Sequence, residues 1–299
     1  MRRDRIEGTL LGLATGDALG AGYEFGPPVT GVVTMRGGGA FGWEPGEWTD
    51  DTQMAICIAQ EAAEGDFDAA SLGDRFIAWA KEARDVGHQT RAVLSAARSG
   101  ADLPEVAAAY HRRDPDRSAG NGSLMRTAAV ALVPSDDVAG LAADVSLLTH
   151  ADPRAVDACV LWTTAVAAAI DSGELPDLRD GLESIPPQRR DRWVETIGHA
   201  EAEPPTHFTP NGYVVTALQA AWASIVHTRR FDDPFGVAVS EAVRVGDDTD
   251  TVAAIAGSLL GAAYGTDVID PQWLEALHGW PGLSADELRA LARRAAGIG

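Results

Sequence analysis

The sequence is poor in the features that mark most ligand classes. Two cysteines occur in 299 residues, Cys57 and Cys159, each inside an apolar helix-like run. They make neither a disulfide framework nor a Cys/His metal site, and a reducing cytoplasm is the expected compartment. Lysine occurs once, at Lys81, and the formal net charge is −20. That charge argues against nucleic acid as a partner, because phosphate backbones are held by basic surface. No run of about 18 apolar residues exists, so no membrane span is expected. The opening MRRDRIEGTLLGLATG starts basic, but Glu7 and Asp17 interrupt it and no A-x-A site follows, which argues against a signal peptide. Strand-period alternation is nearly absent. Gly31 to Met35 is β-branched but has no obvious partner strand.

What remains is helix. Alanine-rich segments with helical apolar spacing cover 5–20, 52–64, 71–83, 89–98, 103–110, 123–132, 137–148, 153–170, 189–200, 212–227, 234–244, 251–263 and 271–277. The expected fold is all-α; no low-complexity linker splits the chain, and a site shared by its distant acidic clusters would make residues 1–299 a single domain. The irregular stretches 171–188 and 201–212 read as surface excursions. No exposed apolar heptad stands out, so a monomer is expected.

One helix carries a packing signal. Gly8, Gly12, Gly16 and Gly20 recur every four residues. Each costs roughly 1 kcal/mol in a helix interior relative to alanine, so close approach of a second helix is the expected reason. Ala253, Gly257, Gly261 and Gly265 form a matching ridge. Packed antiparallel, the two ridges would bring Glu24, just beyond the first helix, near the start of the other.

The chemistry concentrates at two helix starts. WTDDTQ supplies Thr49, Asp50 and Asp51; GDDTDT supplies Asp248, Thr249, Asp250 and Thr251. Helix capping accounts for one or two residues in each cluster, because Ser, Thr and Asp accept from free helix N–H groups. The others would repel one another unless a cation lay between them. Oxygen donors without Cys or His favour Mg²⁺ or Mn²⁺ over Zn²⁺, and the calcium loop of an EF-hand is absent. Two clusters and a further acid could hold two ions.

Three other stretches are candidate ligand contacts. In AGNGSLMR, Gly120, Asn121 and Gly122 leave backbone N–H groups open ahead of a helix expected near Ser123, either a place for a diphosphate or an ordinary loop with Asn121 left-handed and Ser123 as cap. In LLTHADPRAV, Asp152 can cap a helix with Pro153 in its first turn, and His150 beside that start reads as a satisfied structural group or, by its place at a helix start, as a ligand contact. MRGGGAFGWEPGEWTDD is a glycine-rich loop whose Trp43 and Trp48 could stack on a base or simply anchor the loop.

Taken in order, GDALGAGYEF, WTDDTQMA, GNGSLMRTAAVAL, THADPRAV, NGYVVTALQAAW and GDDTDTVAAIAGSLLGAAYG resemble the motifs of the ADP-ribosylglycohydrolase family, from about residue 5 to about 280. The resemblance implies an all-α fold with two Mg²⁺ or Mn²⁺ at the bottom of a cleft. It implies metal contacts from Glu24, Thr49, Asp50, Asp51, Asp248, Asp250 and Thr251, and catalytic roles among Glu24, Asp50 and Asp51. Gly120, Asn121, Gly122 and Ser123 match the loop that cradles the diphosphate, and His150 a residue lining the ribose pocket. Asp247 departs from the pattern, standing where a second glycine is usual, which adds an acid beside the cluster. YVVTALQ also lacks acids often found there.

The implied reaction is hydrolysis of the glycosidic bond in an ADP-ribosyl conjugate, with an ADP-ribosylated protein or small molecule as substrate and ADP-ribose as product. Two other readings fit the residues: a metal-dependent phosphoesterase or diphosphatase on ADP-ribose-like nucleotides, and a non-catalytic ADP-ribose-binding module.

Overall fold

A computed structural model describes residues 2–298 of the chain. They form thirteen α-helices: α1 (Arg2–Gly20), α2 (Asp50–Ala63), α3 (Ala69–Trp79), α4 (His88–Ala96), α5 (Leu103–Arg113), α6 (Val138–Leu147), α7 (Pro153–Ser172), α8 (Pro187–Ala202), α9 (Val214–Thr228), α10 (Pro234–Arg244), α11 (Thr249–Tyr264), α12 (Pro271–Ala276) and α13 (Ala285–Ala295). Among the described residues the only β-structure beyond isolated bridges is a short antiparallel ribbon, β1 (His278–Gly279) with β2 (Leu283–Ser284), in which His278 faces Ser284. The fold is all-α, as the composition and periodicity require. Gly31 to Met35 forms no strand; Thr34 instead takes its N–H to the Tyr23 hydroxyl at 3.0 Å.

Two helices form the centre. α1 is buried from Ile6 to Gly20, and α11 from Thr249 to Ala263. A helix covered on every side has no polar face to spare, and these two solve the problem by pressing glycine ridges together. A Cβ at Gly12 would overlap the carbonyl oxygen of Gly257, one at Gly8 that of Gly261, and one at Gly16 that of Ala253. At the end of the ridge, a Cβ on Gly20 would strike the backbone of Asp250. The helices therefore run antiparallel in the register their sequence spacing implies. The consequence is functional: the C-terminal end of α1 is locked against the acid-bearing start of α11.

α2, α7, α9, α10 and α13 pack round this pair. α13 lies beyond the last stretch whose periodicity reads as helical. Its start is a capping box, with the Ser284 N–H donating to Glu287 Oε2 at 2.8 Å. Leu288, Leu291, Ala292 and Ala295 are buried, and Arg293 reaches Glu7 of α1 at 3.0 Å. α7 is long and apolar enough to cross a membrane, although no uninterrupted apolar run marks it in the sequence; 67% of its most apolar stretch is buried inside the fold. Asp152 caps α7 by accepting from the Arg154 N–H at 2.9 Å.

The helix expected over 123–132 is not an α-helix. Residues 122–126 are turns, and Thr127–Leu132 is 3₁₀. The buried Arg126 explains part of this: its Nη1 donates to the Gly122 carbonyl at 3.0 Å, the acceptor an α-helix would give to the Arg126 N–H. The 201–212 stretch is also more than a surface excursion, because Phe208 and Asn211 within it are buried.

Candidate active site

The starts of α2 and α11 meet at the bottom of a cavity of about 390 Å³. Asp50, Asp51, Asp248, Asp250, Thr251 and Glu24 all line it, as do Gly120, Asn121, Gly122 and His150. Thr49 and Ser123 lie behind this surface, both buried.

Capping does not account for the acids. Thr49 and Asp248 stand at the N-caps of α2 and α11, and neither side chain accepts a backbone N–H of its helix. For α2 the service comes from another helix. Asp17 of α1 accepts the Thr49 N–H at 3.0 Å, the Thr52 N–H at 3.0 Å and the Thr52 hydroxyl at 2.6 Å. Asp50 and Asp51 are thereby left free to face the cavity. Thr49 Oγ1 donates to Asp51 Oδ2 at 3.2 Å, and the Thr249 hydroxyl donates to the Gly20 carbonyl at 2.9 Å, tying α11 to α1 again.

Two groups of three carboxylates result. Oxygens of Asp17, Asp51 and Asp250 lie within 4.8 Å of one another, as do those of Glu24, Asp248 and Asp250. Asp250 belongs to both. Asp50 lies on the cavity wall outside either group. Such crowding disfavours charge. Burial, followed by repulsion from Asp248, Asp85, Asp50 and Asp17, pushes the Glu24 carboxyl up to about 9. Burial raises Asp50, Asp51 and Asp250 well above the usual carboxylate range, with neighbouring acids adding to it. Asp17 is raised by burial to about 6, held there by donation from Thr52 and Thr49.

The donor set fits hard divalent cations. Every member of the two groups is an oxygen ligand, and no Cys or His joins them. Glu24 Oε2 and Asp51 Oδ1 are buried with no hydrogen-bond partner. A buried carboxylate oxygen without a partner is costly, and one in each group is what a cation would satisfy.

Three contributors escaped sequence reasoning. Asp17 was concealed in an apolar helix, where it read only as an interruption. Asp85 lines the cavity, its carboxyl raised by burial and by Asp248 to about 6. The third is Asn211, with its partner Asn121. Asn121 Nδ2 donates to Asp248 Oδ2 at 2.7 Å and to the Asn211 carbonyl at 3.0 Å, while Asn211 Oδ1 accepts the Asp248 N–H at 2.9 Å. These are the only asparagines in the chain, and both serve Asp248; that scarcity was the available signal.

Asp247 has φ +62°, in the left-handed region where glycine is at ease. Its carboxylate belongs to neither group and accepts the Asn211 N–H at 3.2 Å. Gly120 and Gly122 sit against His150, where a Cβ at Gly122 would lie 3.1 Å from Cε1. No α-helix begins at Ser123, so a diphosphate there would meet loop N–H groups and not a helix dipole. Trp48 is fully buried, its Nε1 donating to the Trp280 carbonyl at 3.0 Å, and Trp43 is buried with Arg84 4.2 Å from its ring centroid. Both tryptophans anchor the loop. The exposed ring at the cavity is Phe25.

The family model described as ADP-ribosylglycohydrolase matches residues 1–298. The chain is 32% identical over 286 residues to the ADP-ribosylarginine hydrolase Tri1 of Pseudomonas putida (strain GB-1), covering 91% of this chain and 74% of that protein. It is 32% identical over 287 residues to the ADP-ribosyl-[dinitrogen reductase] glycohydrolase of Rhodospirillum rubrum, covering 92% and 90%. A solved structure titled "ADP-ribosylglycohydrolase-related protein complex" superposes with a TM-score of 0.78 at 32% identity, over 99% of this chain and 98% of that one.

Proposed function

The chain belongs to the ADP-ribosylglycohydrolase family, and on that footing we propose that it is a metal-dependent hydrolase releasing ADP-ribose from an ADP-ribosylated acceptor. The observation that carries the reading is the pair of carboxylate groups sharing Asp250 on the floor of the cavity. In the reaction, water adds its oxygen to the anomeric carbon of the distal ribose. The bond to the acceptor breaks, and the acceptor leaves with a proton.

Asp17, Asp51 and Asp250 would hold one cation and Glu24, Asp248 and Asp250 the other, with Thr49, Asp50 and Thr251 beside them. Two Mg²⁺ or Mn²⁺ ions, when bound, supply positive charge that orients ribose hydroxyls and water and offsets charge in the transition state. The chain does the rest. Asn121 and Asn211 hold Asp248 by its side chain and its N–H. Glu24 is the candidate to take the proton of the attacking water, through the carboxylate oxygen not given to the cation. Gly120 and Gly122 keep the wall beside His150 open. Ser123 lies behind that loop, accepting from the Ser146 hydroxyl at 3.0 Å.

The name of the Pseudomonas relative makes an arginine-linked conjugate the first to try. Purified protein with Mg²⁺ or Mn²⁺ should convert an ADP-ribosylarginine peptide to unmodified peptide and free ADP-ribose, read by mass spectrometry. Serine-linked, nucleobase and small-molecule conjugates complete the panel. AMP with a ribose-phosphate adduct left on the peptide would instead show diphosphate cleavage and overturn the proposal.

A further inference from the structure

Arg126 is fully buried, and among the described residues its hydrogen-bond partners are the Met54 sulfur, the Gly122 and Val145 carbonyls and the Thr149 hydroxyl, with no carboxylate. A guanidinium in a core is costly unless its donors are used. Its ring-stacked position, 4.6 Å from the Phe76 centroid, accounts for one face. Its Nη2 donates to Thr149 Oγ1 at 2.7 Å. Because a guanidinium accepts nothing, the Thr149 hydroxyl must direct its own hydrogen elsewhere. His150 Nδ1 lies 2.8 Å away. Burial, and then the nearby Arg126, push the His150 pKa down to about 3, so the ring carries a single proton at neutral pH. With Nδ1 accepting from Thr149, that proton belongs on Nε2, an assignment made from the hydrogen-bond network.

Nε2 is the nitrogen on the open side. A Cβ placed on Gly120 or Gly122 would lie 3.4 or 3.3 Å from it, and no protein group among the described residues bonds it. A second group is set by the same residue. Gln89 Nε2 donates to the Thr149 carbonyl at 3.1 Å, which turns Gln89 Oε1 towards Gly120, 3.6 Å from the position of its missing Cβ. Gln89 is 8% exposed, and Oε1 has no partner. A donor and an acceptor therefore flank one glycine on the cavity wall. A phosphate oxygen answers only the donor; a hydroxyl answers both.

We infer that Arg126 and Thr149 are positioning residues that fix His150 as an Nε2–H donor, and that this donor and Gln89 Oε1 together receive a substrate hydroxyl. Under the function proposed above, the hydroxyl is a ribosyl one.

The test reads the protein before any ligand is added. In ¹⁵N-histidine-labelled protein, the His150 resonances should show the proton on Nε2. Thr149→Val should populate the Nδ1–H form and weaken ADP-ribose binding by about tenfold, the equivalent of one hydrogen bond to a polar group. Thr149→Ser should restore both. Gln89→Met, on the cavity wall, should weaken ADP-ribose to a similar degree with the tautomer unchanged, and it serves if Thr149→Val fails to fold. An Nδ1–H ring in the wild type, or full ADP-ribose affinity in Gln89→Met, would overturn the inference. Wild-type protein with the Nε2–H ring but no affinity for ADP-ribose would overturn the functional reading and the ribosyl occupant, while the Arg126–Thr149–His150 relay would stand.

Discussion

Gly12→Ala adds one methyl group at the contact between the two central helices. In an ordinary helix it would stabilise by roughly 1 kcal/mol. Here the new Cβ overlaps the Gly257 carbonyl oxygen and lies 3.3 Å from the Gly261 Cα. Both obstacles are backbone, so no rotamer change relieves them, and α11 must move as a body. Overpacking of this kind costs up to about 3 kcal/mol, leaving a net loss of about 2 kcal/mol and a melting temperature lower by about 3 °C. The displaced helix carries Asp248 and Asp250, and a shift of about 1 Å at a reacting centre lowers kcat/KM by up to about a hundredfold. Gly198→Ala is the control. Gly198 lies within α8, and the nearest group to its missing Cβ is Arg179 Nη2 at 3.9 Å. It should gain about 0.5–1 kcal/mol with unchanged activity. Calorimetric melting of both variants decides the matter. Equal gains in the two would refute the idea that the glycine ridge sets the distance between α1 and α11.

Three further outcomes are expected. Without a cation, burial holds the Glu24 carboxyl up to about 9 and those of Asp17 and Asp85 up to about 6; groups raised on folding stabilise below their unfolded pKa and lose that contribution as pH rises through the folded one. The melting temperature of EDTA-treated protein should therefore fall between pH 5 and pH 9, Mn²⁺ should remove the fall, and a flat metal-free profile would contradict it. Asp17→Asn puts an amide where Asp17 accepts three hydrogen bonds at the start of α2, and metal-free protein should lose about 2–3 kcal/mol in denaturant melts. Asp247→Gly relieves the positive φ but removes the acceptor for the Asn211 N–H, so activity should persist and Mn²⁺ affinity should change by less than about tenfold, roughly one hydrogen bond; complete loss of activity would make Asp247 a ligand.

Much of this architecture was legible because it rests on short-range rules. Helix spacing, the absence of alternation, and the four-residue glycine rhythm together fix an all-α core and its central antiparallel pair. The clustered acids at 49–51 and 248–251 announced themselves by exceeding what capping needs. What stayed hidden depends on tertiary partners. Asp17 is one acid in an apolar helix, and only the folded chain shows that it caps α2 from outside. In 122–132 the buried Arg126 side chain takes the Gly122 carbonyl that an α-helix would give to its N–H, a tertiary detail that no propensity records. α13 is hard to read in the sequence although its S-x-x-E box is present, because Leu288 and Leu291 are its only apolar residues larger than alanine and three arginines stand among them. Trp43 and Trp48 were ambiguous in sequence since aromatic residues anchor loops and stack on bases by the same surface; burial decides it.

The central claim is that two acidic helix starts, distant in the chain, form one cation-dependent site through Asp250. Calorimetric titration of metal-free protein with Mn²⁺, run alongside ADP-ribosylarginine hydrolysis, tests it on wild type, Asp51→Asn, Asp248→Asn, Asp250→Asn and the Asp51→Asn/Asp248→Asn double variant. Wild type should bind two ions. Asp250→Asn should lose tight binding of both and its activity with them, and the double variant should be little slower than either single one, because residues acting as a unit are not additive. An Asp250→Asn protein that keeps one ion at wild-type affinity, or rate losses at Asp51 and Asp248 that multiply, would contradict a shared site.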